Sequence, residues 1–384
     1  MHVAFNGWFW DQPNTGSGQY LRYLLAALRK LSPQLELTLV LPPGLTSTDG
    51  VPANVNVVTT GGGRGNVGKV LFEQRTYPRA VARAGADIAH VPYWGPPLSS
   101  PARLVTSILD AIPAVIPDYA RGLKAQLYTS LVTSAARGSA HVITISDAAK
   151  ADIVRELGIP EDAITTTYLA ADDAYHPRLG AERDAAVKAK YNLPDDFVLY
   201  MGGYDLRKQV NQLLLAWTYV NQAEDGRVTL VMAGREPKWG PPMFPDMRKY
   251  ADELNITDTM QWIDYVDEAD KPSLYRLATV FVYPSLYEGF GLPVLEAMAS
   301  GTPTVANEIS SIPEVAGDGA YLVPSGDSRK MAGAILALLL QEPLRDSLVN
   351  QGLARATHFS WRKTAQRTLE VYERVMAMPE KGKT

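Results

Sequence analysis

Residues 280–301 read VFVYPSLYEGFGLPVLEAMASG and predict a strand, a glycine-rich turn and a helix in direct succession. The β-branched and aromatic run at 280–283 is typical of a buried strand in a parallel sheet. Pro293 suits the first turn of the helix that follows. Repeated strand–turn–helix units build doubly wound α/β domains, whose ligands bind beyond the carboxyl ends of the strands. The stretch therefore predicts an α/β fold with a binding loop after this strand.

The turn has the features of an anion-binding loop. Gly289 and Gly291 allow the backbone to come close to a ligand. We expect the amides of Phe290, Gly291 and Leu292 to point from the N-terminus of the helix, where the helix dipole favours a phosphate group. The sequence thus predicts phosphate binding by main-chain amides at this helix start.

Two glutamates flank this phosphate-binding turn. Glu288 is expected in the turn, and Glu296 follows eight residues later, about two helical turns further on. Carboxylates accept hydrogen bonds from hydroxyl groups, so one of them can hold a sugar and the other a ribose diol, with a diphosphate on the amides between them. The alternative is that both are ordinary acidic residues favoured near a helix start by the dipole.

The segment resembles the E-x7-E signature of the retaining glycosyltransferases of family 4, also called glycosyltransferase group 1. The continuation at 302–306 and 310–317 is similar to that of the family as well. The resemblance implies a GT-B fold, in which two Rossmann-like, doubly wound parallel-sheet domains face each other across a cleft. It also implies that Glu288 contacts hydroxyls of the donor sugar and that Glu296 contacts the ribose of the nucleotide.

Composition agrees with an enzyme of two α/β domains. The chain has 384 residues, 46% of them apolar and 20% charged, and about 150 residues per domain gives two or three domains. The sequence has no apolar run of the length that spans a bilayer, and it enters a strand-like segment at His2, so we expect a cytoplasmic protein. A net charge of −4 argues against nucleic acid as a partner.

Strand-like and helix-like segments alternate twice along the chain. In the first series the strand-like segments are 2–5, 37–41, 87–91, 104–108, 142–145 and 165–168. In the second series they are 197–201, 228–233, 260–263, 279–283 and 304–306. We expect an acceptor-side domain at 1–180 and a donor-binding domain at 181–357. The polar stretch Asp172–Asp196 is the expected boundary, and the resemblance implies that a helix at 358–376 crosses back onto the first domain.

A second anion-binding loop is predicted after the strand 197–201. Gly202 and Gly203 lead to Arg207 and Lys208 just before a helix, and two adjacent cations can neutralise a diphosphate both when bound and as it leaves. The alternative is a surface pair without a role. The loop resembles the family's diphosphate-binding loop, although many members have Gly-Arg at 202–203, so the diphosphate contacts here rest on Arg207 and Lys208.

Two further loops resemble parts of the family's donor site. Gly16 and Gly18, between the first strand and the first helix, allow the backbone to approach phosphate or acceptor, although a flexible Gly/Ser loop is the commoner explanation. The segment from Val266 to Lys271 resembles the loop that contacts the nucleobase through main-chain groups. The identity of the base is therefore not readable from its side chains.

The segment 105–113 departs from the family at one position. Many members have His-Asp where this chain has Leu109-Asp110, and in those members the histidine approaches the donor sugar. Leucine cannot hydrogen-bond a primary alcohol. Either the donor is a 6-deoxy sugar or pentose that prefers an apolar wall, or another residue makes the contact. Asp110 is expected to orient donor or acceptor, or else to cap a turn.

The segment 64–83 combines positive charge with apolar residues. It carries five cations and one anion, a local charge of +4. The cations are Arg64, Lys69, Arg75, Arg79 and Arg83, and the anion is Glu73. One hypothesis is that this element faces an anionic lipid-linked acceptor at the inner face of a membrane. The alternative is a solvated helix edge.

The sequence as a whole predicts a retaining, metal-independent glycosyltransferase. It would move a sugar from a nucleotide diphosphate sugar to a hydroxyl of a saccharide or lipid-linked acceptor, in polysaccharide, lipopolysaccharide or glycolipid synthesis. Zero cysteines and five scattered histidines predict no metal site, and no other cofactor is expected. A non-catalytic nucleotide-sugar-binding module and a GT-B phosphorylase remain as alternatives. A Gly-x-Gly-x-x-Gly pattern at 63–68 does not predict a dinucleotide site, because Asp87 begins a strand where the motif needs an acid that ends one.

Overall fold

The computed structural model describes residues 1–178 and 180–379, which form two compact units. The first unit comprises Met1–Leu169 and the C-terminal segment from Ser360, and the second comprises Ala170–Phe359. The sequence placed the limits at 180 and 357 instead. The expected boundary stretch, of which residue 179 lies outside the described residues, belongs to the second unit, because Asp184 within it forms an ion pair with Arg276 of that unit.

The first unit contains one parallel sheet in the order β3-β2-β1-β4-β5-β6-β7. Its strands are β1 (His2–Asn6), β2 (Glu36–Val40), β3 (Asn56–Val58), β4 (Ile88–Val91), β5 (Arg103–Ser107), β6 (His141–Thr144) and β7 (Ile164–Thr166). Its helices are α1 (Gly16–Leu31), α2 (Asn66–Leu71), α3 (Tyr77–Ala84), α4 (Ile112–Val115), α5 (Leu123–Arg137), α6 (Asp147–Leu157) and the C-terminal helix (Trp361–Ala377). A π-helix (Phe72–Thr76) joins α2 to α3, and 3-10 turns occupy Pro117–Ala120 and Glu161–Ala163.

The C-terminal helix belongs to the first unit because one of its faces is buried there. Its buried residues recur every three or four positions, the spacing of one helix face. Trp361 stacks on Tyr23 of α1 with ring centroids 5.0 Å apart. The Tyr372 hydroxyl lies 2.5 Å from Nδ1 of His90 in β4, and burial lowers the pKa of His90 to about 3, so this imidazole is neutral.

The second unit contains a parallel sheet in the order β10-β9-β8-β11-β12-β13. Its strands are β8 (Phe197–Met201), β9 (Thr229–Ala233), β10 (Met260–Ile263), β11 (Val280–Tyr283), β12 (Thr304–Asn307) and β13 (Tyr321–Val323). Its helices are α7 (Ala181–Lys190), α8 (Val210–Glu224), α9 (Met247–Glu253), α10 (Lys271–Leu277), α11 (Leu292–Ala299), α12 (Ile312–Ala316), α13 (Ser328–Leu340) and α14 (Glu342–Ala356). 3-10 turns lie at Leu206–Lys208 and Thr257–Thr259.

Each sheet reverses its strand order once, and this reversal places the binding loops. In the second unit the chain runs outward from β8 to β10 and returns to β11, which pairs with β8. Loops that leave neighbouring strands at such a switch point diverge to opposite faces and open a crevice. The loops after β8 and β11 are the two that the sequence singled out.

The strand predictions are confirmed within one or two residues at most ends. The sequence series omitted β3 and β13, which have only three residues each and lie at sheet edges. β7 is equally short and also lies at a sheet edge, yet the series included it, so length alone does not explain the omission. The omission changes the strand count but leaves the fold class intact.

The structure places Gly16 and Gly18 inside the first helix rather than in the loop before it. Both lie in the first turn of α1, because Thr15 caps the helix with a side chain that accepts a hydrogen bond from the Gly18 amide at 3.1 Å. Gly18 is buried, and a Cβ built there would lie 2.0 Å from the carbonyl oxygen of Gln12. Glycine is needed at 18 for close approach of the preceding loop rather than for flexibility.

We expect Gly18→Ala to destabilise the first unit and Gly16→Ala to leave its stability nearly unchanged. The added methyl group at 18 must displace backbone, at a cost of about 1–3 kcal/mol, whereas a Cβ at Gly16 has no neighbour within 4 Å. Calorimetric melting of both variants measures the difference. Equal melting temperatures would contradict the packing role of Gly18.

Candidate active site

The two predicted loops of the second unit are joined through their backbones. The amide of Leu286, after β11, donates a hydrogen bond to the carbonyl of Arg207, after β8, at 2.8 Å. The Ser285 hydroxyl lies 3.4 Å from the same carbonyl oxygen. The parallel pairing of β8 with β11 brings these loops together. The structure therefore places the Arg/Lys loop and the glutamate-bearing loop in one site.

One carboxylate oxygen of Glu288 collects four polar contacts. Its Oε1 accepts hydrogen bonds from Arg207 Nη1 at 2.6 Å and from Lys208 Nζ at 2.7 Å. It also accepts from the hydroxyls of Ser285 at 2.5 Å and Tyr283 at 2.9 Å. Within the described residues, all the hydrogen bonds to this carboxylate end on Oε1, so Oε2 retains its accepting capacity for a ligand.

The cations and the hydroxyls hold Glu288 in its ionised form. Burial raises the pKa of this carboxyl, but the charges of Lys208 and Arg207 and the hydrogen bonds from Lys208 and Ser285 outweigh it and lower the pKa to about 2. Burial lowers the pKa of Lys208, and Glu288 opposes that change. A second carboxylate belongs to the cluster, since Asp205 Oδ1 lies 3.7 Å from Arg207 Nε.

Side chains that the sequence did not single out fix the backbone around Glu288. The hydroxyls of Ser310 and Ser311 donate to the Glu288 carbonyl at 2.7 and 2.9 Å. Asn307 Nδ2, at the end of β12, donates to the Pro284 carbonyl at 2.5 Å. Their position after a strand that neighbours β11 is the signal that would have identified them, since carboxyl ends of parallel strands share one sheet edge.

The start of α11 presents main-chain donors. Gly291 has a φ of 91°, and a Cβ there would lie 2.4 Å from Ile312, so glycine is required. The amides of Gly291 and Leu292 donate to no group within the described residues. Phe290 is buried, and its ring packs against Phe359 with centroids 5.7 Å apart. The helix N-terminus thus retains two amides for an anion.

Glu296 occupies a very different environment from Glu288. It lies about one turn inside α11 rather than two helical turns from Glu288, because residues 288–291 are not helical. The Tyr275 hydroxyl donates to its Oε2 at 3.1 Å. Burial raises the pKa of Glu296 to about 7, while Lys271 and the Tyr275 hydrogen bond act in the opposite direction. Near neutral pH this carboxyl exchanges between its two protonation states.

The predicted base-binding segment lies close to Glu296. Lys271 begins α10, and its ammonium pairs with Glu268. Val266 is buried with 4% of its surface exposed.

Gly203 lies after β8, where the Tyr200 hydroxyl donates to its carbonyl. These residues all belong to the second unit, together with Glu288 and Glu296.

The remaining predicted site residues belong to the first unit. Oδ1 of Asp110 accepts a hydrogen bond from the Ile112 amide at 3.1 Å, which is the turn-capping arrangement. Leu109 precedes it and is half-buried. Gly16 and Gly18 lie at the start of α1, as described above.

Tertiary contacts reduce the free charge of the segment 64–83. Arg64 pairs with Asp11 at 2.6 Å, and Lys69 lies 3.7 Å from Glu73, whose side chain is fully buried. The Lys69 ammonium also faces the rings of Phe9, Tyr93 and Tyr128 at 5.2, 5.3 and 5.2 Å. Lys69 is therefore one of the five counted cations whose charge is largely used within the unit.

An exposed stripe remains along this helical segment. Its members recur every four residues: Val67, Leu71, Arg75, Arg79 and Arg83. The two aliphatic side chains are 74% and 53% exposed. Among the described residues, the three arginines form no ion pair. The opposite side of the segment is internal, because Phe72, Tyr77 and Val81 pack in the core of the unit.

Two further structural tests apply to residues 1–178 and 180–379. None of the helices in that part of the chain has the length and apolar character of a bilayer crossing. No three acidic or histidine side chains there come together as a metal-binding group.

The chain has two units, each with a parallel β-sheet, and a glutamate that binds an arginine and a lysine just before a helix N-terminus. These are the features of a glycosyltransferase of GT-B fold, and comparison with known proteins agrees. The family described as "Glycosyl transferases group 1" matches residues 183–355, and "Glycosyl transferase 4-like domain" matches residues 15–170. The O-antigen chain mannosyltransferase B of Escherichia coli is 33% identical over 77% of this chain and 78% of its own length. The chain therefore belongs to the group 1, family 4 glycosyltransferases.

Other relatives share parts of the chain. The MMP alpha-(1->4)-mannosyltransferase of Mycolicibacterium hassiacum is 34% identical over 63% of this chain and 56% of its own. The serotype-specific mannosyltransferase WbdA of Escherichia coli is 28% identical over 61% of this chain, which spans only 29% of that longer protein.

Solved structures share the fold. Sucrose-phosphate synthase from Thermosynechococcus elongatus has a TM-score of 0.73 at 20% identity, over 98% of this chain and 99% of that chain. Anabaena Alr3699/HepE in complex with UDP-glucose has a TM-score of 0.75 at 16% identity, over 97% of this chain and 100% of that chain.

The pKa values of the two glutamates predict opposite pH dependences of stability. The folded pKa of Glu296 is about 7 against 4.5 for an ordinary glutamate, so the folded state binds the extra proton between these values. The free energy of unfolding then falls as pH rises through this window, by about 3 kcal/mol. We expect Glu296→Gln to gain stability relative to the wild type between pH 4.5 and 8 in urea unfolding.

Glu288→Gln is the matched control with the reverse sign. The folded pKa of Glu288 is about 2, so its contribution is present above pH 4.5 and disappears as pH falls through 2. This variant should be less stable than the wild type at pH 7, by about 3 kcal/mol, with a gap that closes in acid. Parallel pH curves for the wild type and both variants would contradict these assignments.

Proposed function

We propose that this glycosyltransferase transfers a mannosyl unit from a nucleotide diphosphate mannose to a hydroxyl of a saccharide or lipid-linked acceptor during glycan synthesis. The clustering of Arg207 and Lys208 on one oxygen of Glu288 is the observation that carries the proposal. Mannose is favoured because three of the relatives are named as mannosyltransferases, one of them as the O-antigen chain mannosyltransferase B. A nucleotide sugar as donor is supported by the Anabaena structure with UDP-glucose.

A diphosphate fits the charge and the donors of the second unit. Arg207 and Lys208 lie within 2.7 Å of Glu288 Oε1 and supply the cations, and Gly291 and Leu292 supply main-chain amides. Phosphate oxygens bind to such cations and helix N-termini. When a diphosphate draws the cations toward itself, Glu288 Oε2 is the acceptor left for a sugar hydroxyl.

The other donor contacts follow from the same arrangement. Glu296 would accept the ribose diol, and its pKa of about 7 lets the carboxyl either accept or donate a hydrogen bond there. Main-chain groups of 266–271 would contact the base, and Gly203 would allow the backbone to approach the diphosphate. Asp110, Gly16 and Gly18 are assigned to the acceptor side on the resemblance alone.

Chemistry with retained configuration needs no protein nucleophile in this site. The acceptor oxygen forms its bond to the anomeric carbon on the face from which the phosphate leaves, while the bond from that carbon to the phosphate oxygen breaks. The acceptor proton passes to the departing phosphate oxygen. Arg207, Lys208 and the amides stabilise the charge that develops on the diphosphate, which is usually the largest contribution to rate. The same cations replace a metal ion.

A donor panel tests the proposal. We expect the protein to release nucleoside diphosphate and transfer sugar from a mannose donor, and Glu288→Ala to lower turnover at least a hundredfold, as the loss of a buried charged partner at the reacting sugar requires. GDP-mannose and its 6-deoxy counterpart GDP-rhamnose differ only at the hydroxyl that Leu109 cannot bind. Saturation-transfer NMR with each donor measures binding without an acceptor.

The outcomes of the panel are distinct. Preference for the 6-deoxy donor, abolished in Leu109→His, would replace mannose by a deoxy sugar. Binding of a donor without turnover with any saccharide or lipid-linked acceptor would instead favour a nucleotide-sugar-binding module. Binding of no donor would contradict the proposal.

We further propose that the exposed stripe of the first unit contacts an anionic membrane surface on the cytoplasmic side. Val67 and Leu71 offer apolar side chains, and Arg75, Arg79 and Arg83 offer charge without ion-pair partners among the described residues. Like charges one turn apart destabilise a helix, so the row of arginines has a cost that lipid phosphates would offset.

Flotation with vesicles tests the membrane contact. We expect the protein to bind phosphatidylglycerol vesicles and not phosphatidylcholine vesicles. Binding to the phosphatidylglycerol vesicles should fall at least tenfold when the three arginines become glutamine, because each basic residue contributes about 1 kcal/mol. Replacing three exposed cations of the second unit changes the net charge equally and serves as control; these are Arg227, Lys249 and Lys330. Equal flotation of both triple variants would exclude a specific contact.

A further inference from the structure

Both glutamates of the E-x7-E signature are held by tyrosine hydroxyls. The Tyr283 hydroxyl, at the end of β11, donates to Glu288 Oε1 at 2.9 Å. The Tyr275 hydroxyl, in α10, donates to Glu296 Oε2 at 3.1 Å. The family signature does not include either tyrosine.

The two tyrosines belong to one buried column of aromatic rings. Tyr275 meets Phe281 edge-on, with centroids 5.1 Å apart and planes at 79°. Phe281 stacks on Tyr283 with centroids 5.9 Å apart and planes at 25°. Tyr175 packs against the far side of Tyr275 at 5.8 Å. Tyr275, Phe281 and Tyr283 are each no more than 1% exposed. Rings packed on both sides have little rotational freedom, so the hydroxyl positions are fixed.

Tyr283 contacts the cation as well as the carboxylate. Lys208 Nζ donates to the Tyr283 oxygen at 2.6 Å and lies 4.9 Å from the centre of its ring. One hydroxyl group therefore accepts from the ammonium and donates to Glu288, which uses both capacities of a phenol. Lys208, Tyr283 and Glu288 Oε1 form a closed triangle of hydrogen bonds.

We propose that Tyr283 is a positioning residue for sugar transfer, which sets Lys208 for the diphosphate and Glu288 for the sugar. The inference rests on the proposed function. When a diphosphate attracts Lys208 and Arg207, Glu288 Oε1 loses part of its cationic support. Tyr283 and Ser285 continue to donate to that oxygen, and Oε2 keeps its direction toward the donor sugar. Tyr283 also stabilises the charged form of Lys208, since its oxygen accepts from the ammonium.

The charged and titratable groups around Lys208 permit a pH readout. Glu288 and Asp205 favour the ammonium form, and Arg207 and burial disfavour it. The variant Tyr283→Phe keeps the ring, the stacking and the cation–π contact but removes the accepting oxygen. Its Lys208 should lose the proton at lower pH than in the wild type.

The paired variants Tyr283→Phe and Tyr275→Phe test the proposal. Each removes one hydroxyl from the same column. For Tyr283→Phe we expect kcat to fall about 10- to 100-fold, the range for a hydrogen bond to a charged group. In calorimetry, the affinity for nucleoside diphosphate falls on the alkaline side as Lys208 loses its proton, and this alkaline limb should begin at a lower pH than in the wild type. For Tyr275→Phe we expect a higher donor KM, weaker nucleoside diphosphate binding at every pH, and an alkaline limb at the wild-type position.

The outcomes separate positioning from packing. Wild-type kcat and an unmoved alkaline limb in Tyr283→Phe would overturn the proposal. So would equal losses in both variants accompanied by equal drops in melting temperature, since the column would then be only structural. The two proposals can also fail separately. If the wild-type protein transfers no sugar but Tyr283→Phe still shifts the alkaline limb of nucleoside diphosphate binding, the role of Tyr283 toward Lys208 is upheld and the proposed function is refuted.

Discussion

The ion cluster on Glu288 is the interaction on which the site of the second unit depends. Two cations and two hydroxyls converge on a single carboxylate oxygen, at distances between 2.5 and 2.9 Å. The cations come from the loop after β8 and the carboxylate from the loop after β11, and the switch in strand order makes these loops neighbours. The cluster therefore defines the geometry of both loops before any ligand arrives, which is the preorganisation that electrostatic catalysis requires.

Such a cluster contributes more to function than to stability. Removing three charges from water costs several kcal/mol per ion, and their mutual attraction repays this only when the geometry is good. Here the two cations face the carboxylate of Glu288, and a second carboxylate, that of Asp205, lies 3.7 Å from Arg207 Nε. A diphosphate would compete with these carboxylates for the two cations. Glu296, only eight residues away, is buried, no cation among the described residues forms an ion pair with it, and its pKa lies near 7 instead of 2. The surroundings thus give two identical side chains different chemistry.

The sequence predicts what is local and misses what depends on tertiary contact. Strand patterns, the glycine-rich turn and the adjacent Arg207-Lys208 pair are visible within a few residues, and the structure brings the two loops together. Asn307 and Ser310 fix the backbone around Glu288 from the end of β12 and the loop after it. That β12 lies beside β11 follows from the sheet order, which no short pattern contains. Thr15 caps α1 and places Gly16 and Gly18 inside its first turn rather than before the helix, a boundary signal present in the sequence but outweighed by the run of small residues.

The basic segment shows why a charge count alone misjudges a surface. Of its five cations, Arg64 and Lys69 are paired with Asp11 and Glu73. The π-helix between α2 and α3 also matters. In a regular α-helix, a row at every fourth residue drifts steadily around the axis, because a turn takes 3.6 residues. A π-turn takes more than four residues, so within the π-helix the row shifts around the axis in the opposite direction and the drift is partly reversed. The stripe from Val67 to Arg83 consequently stays on one exposed face, with apolar side chains at one end and, among the described residues, arginines without an ion pair at the other.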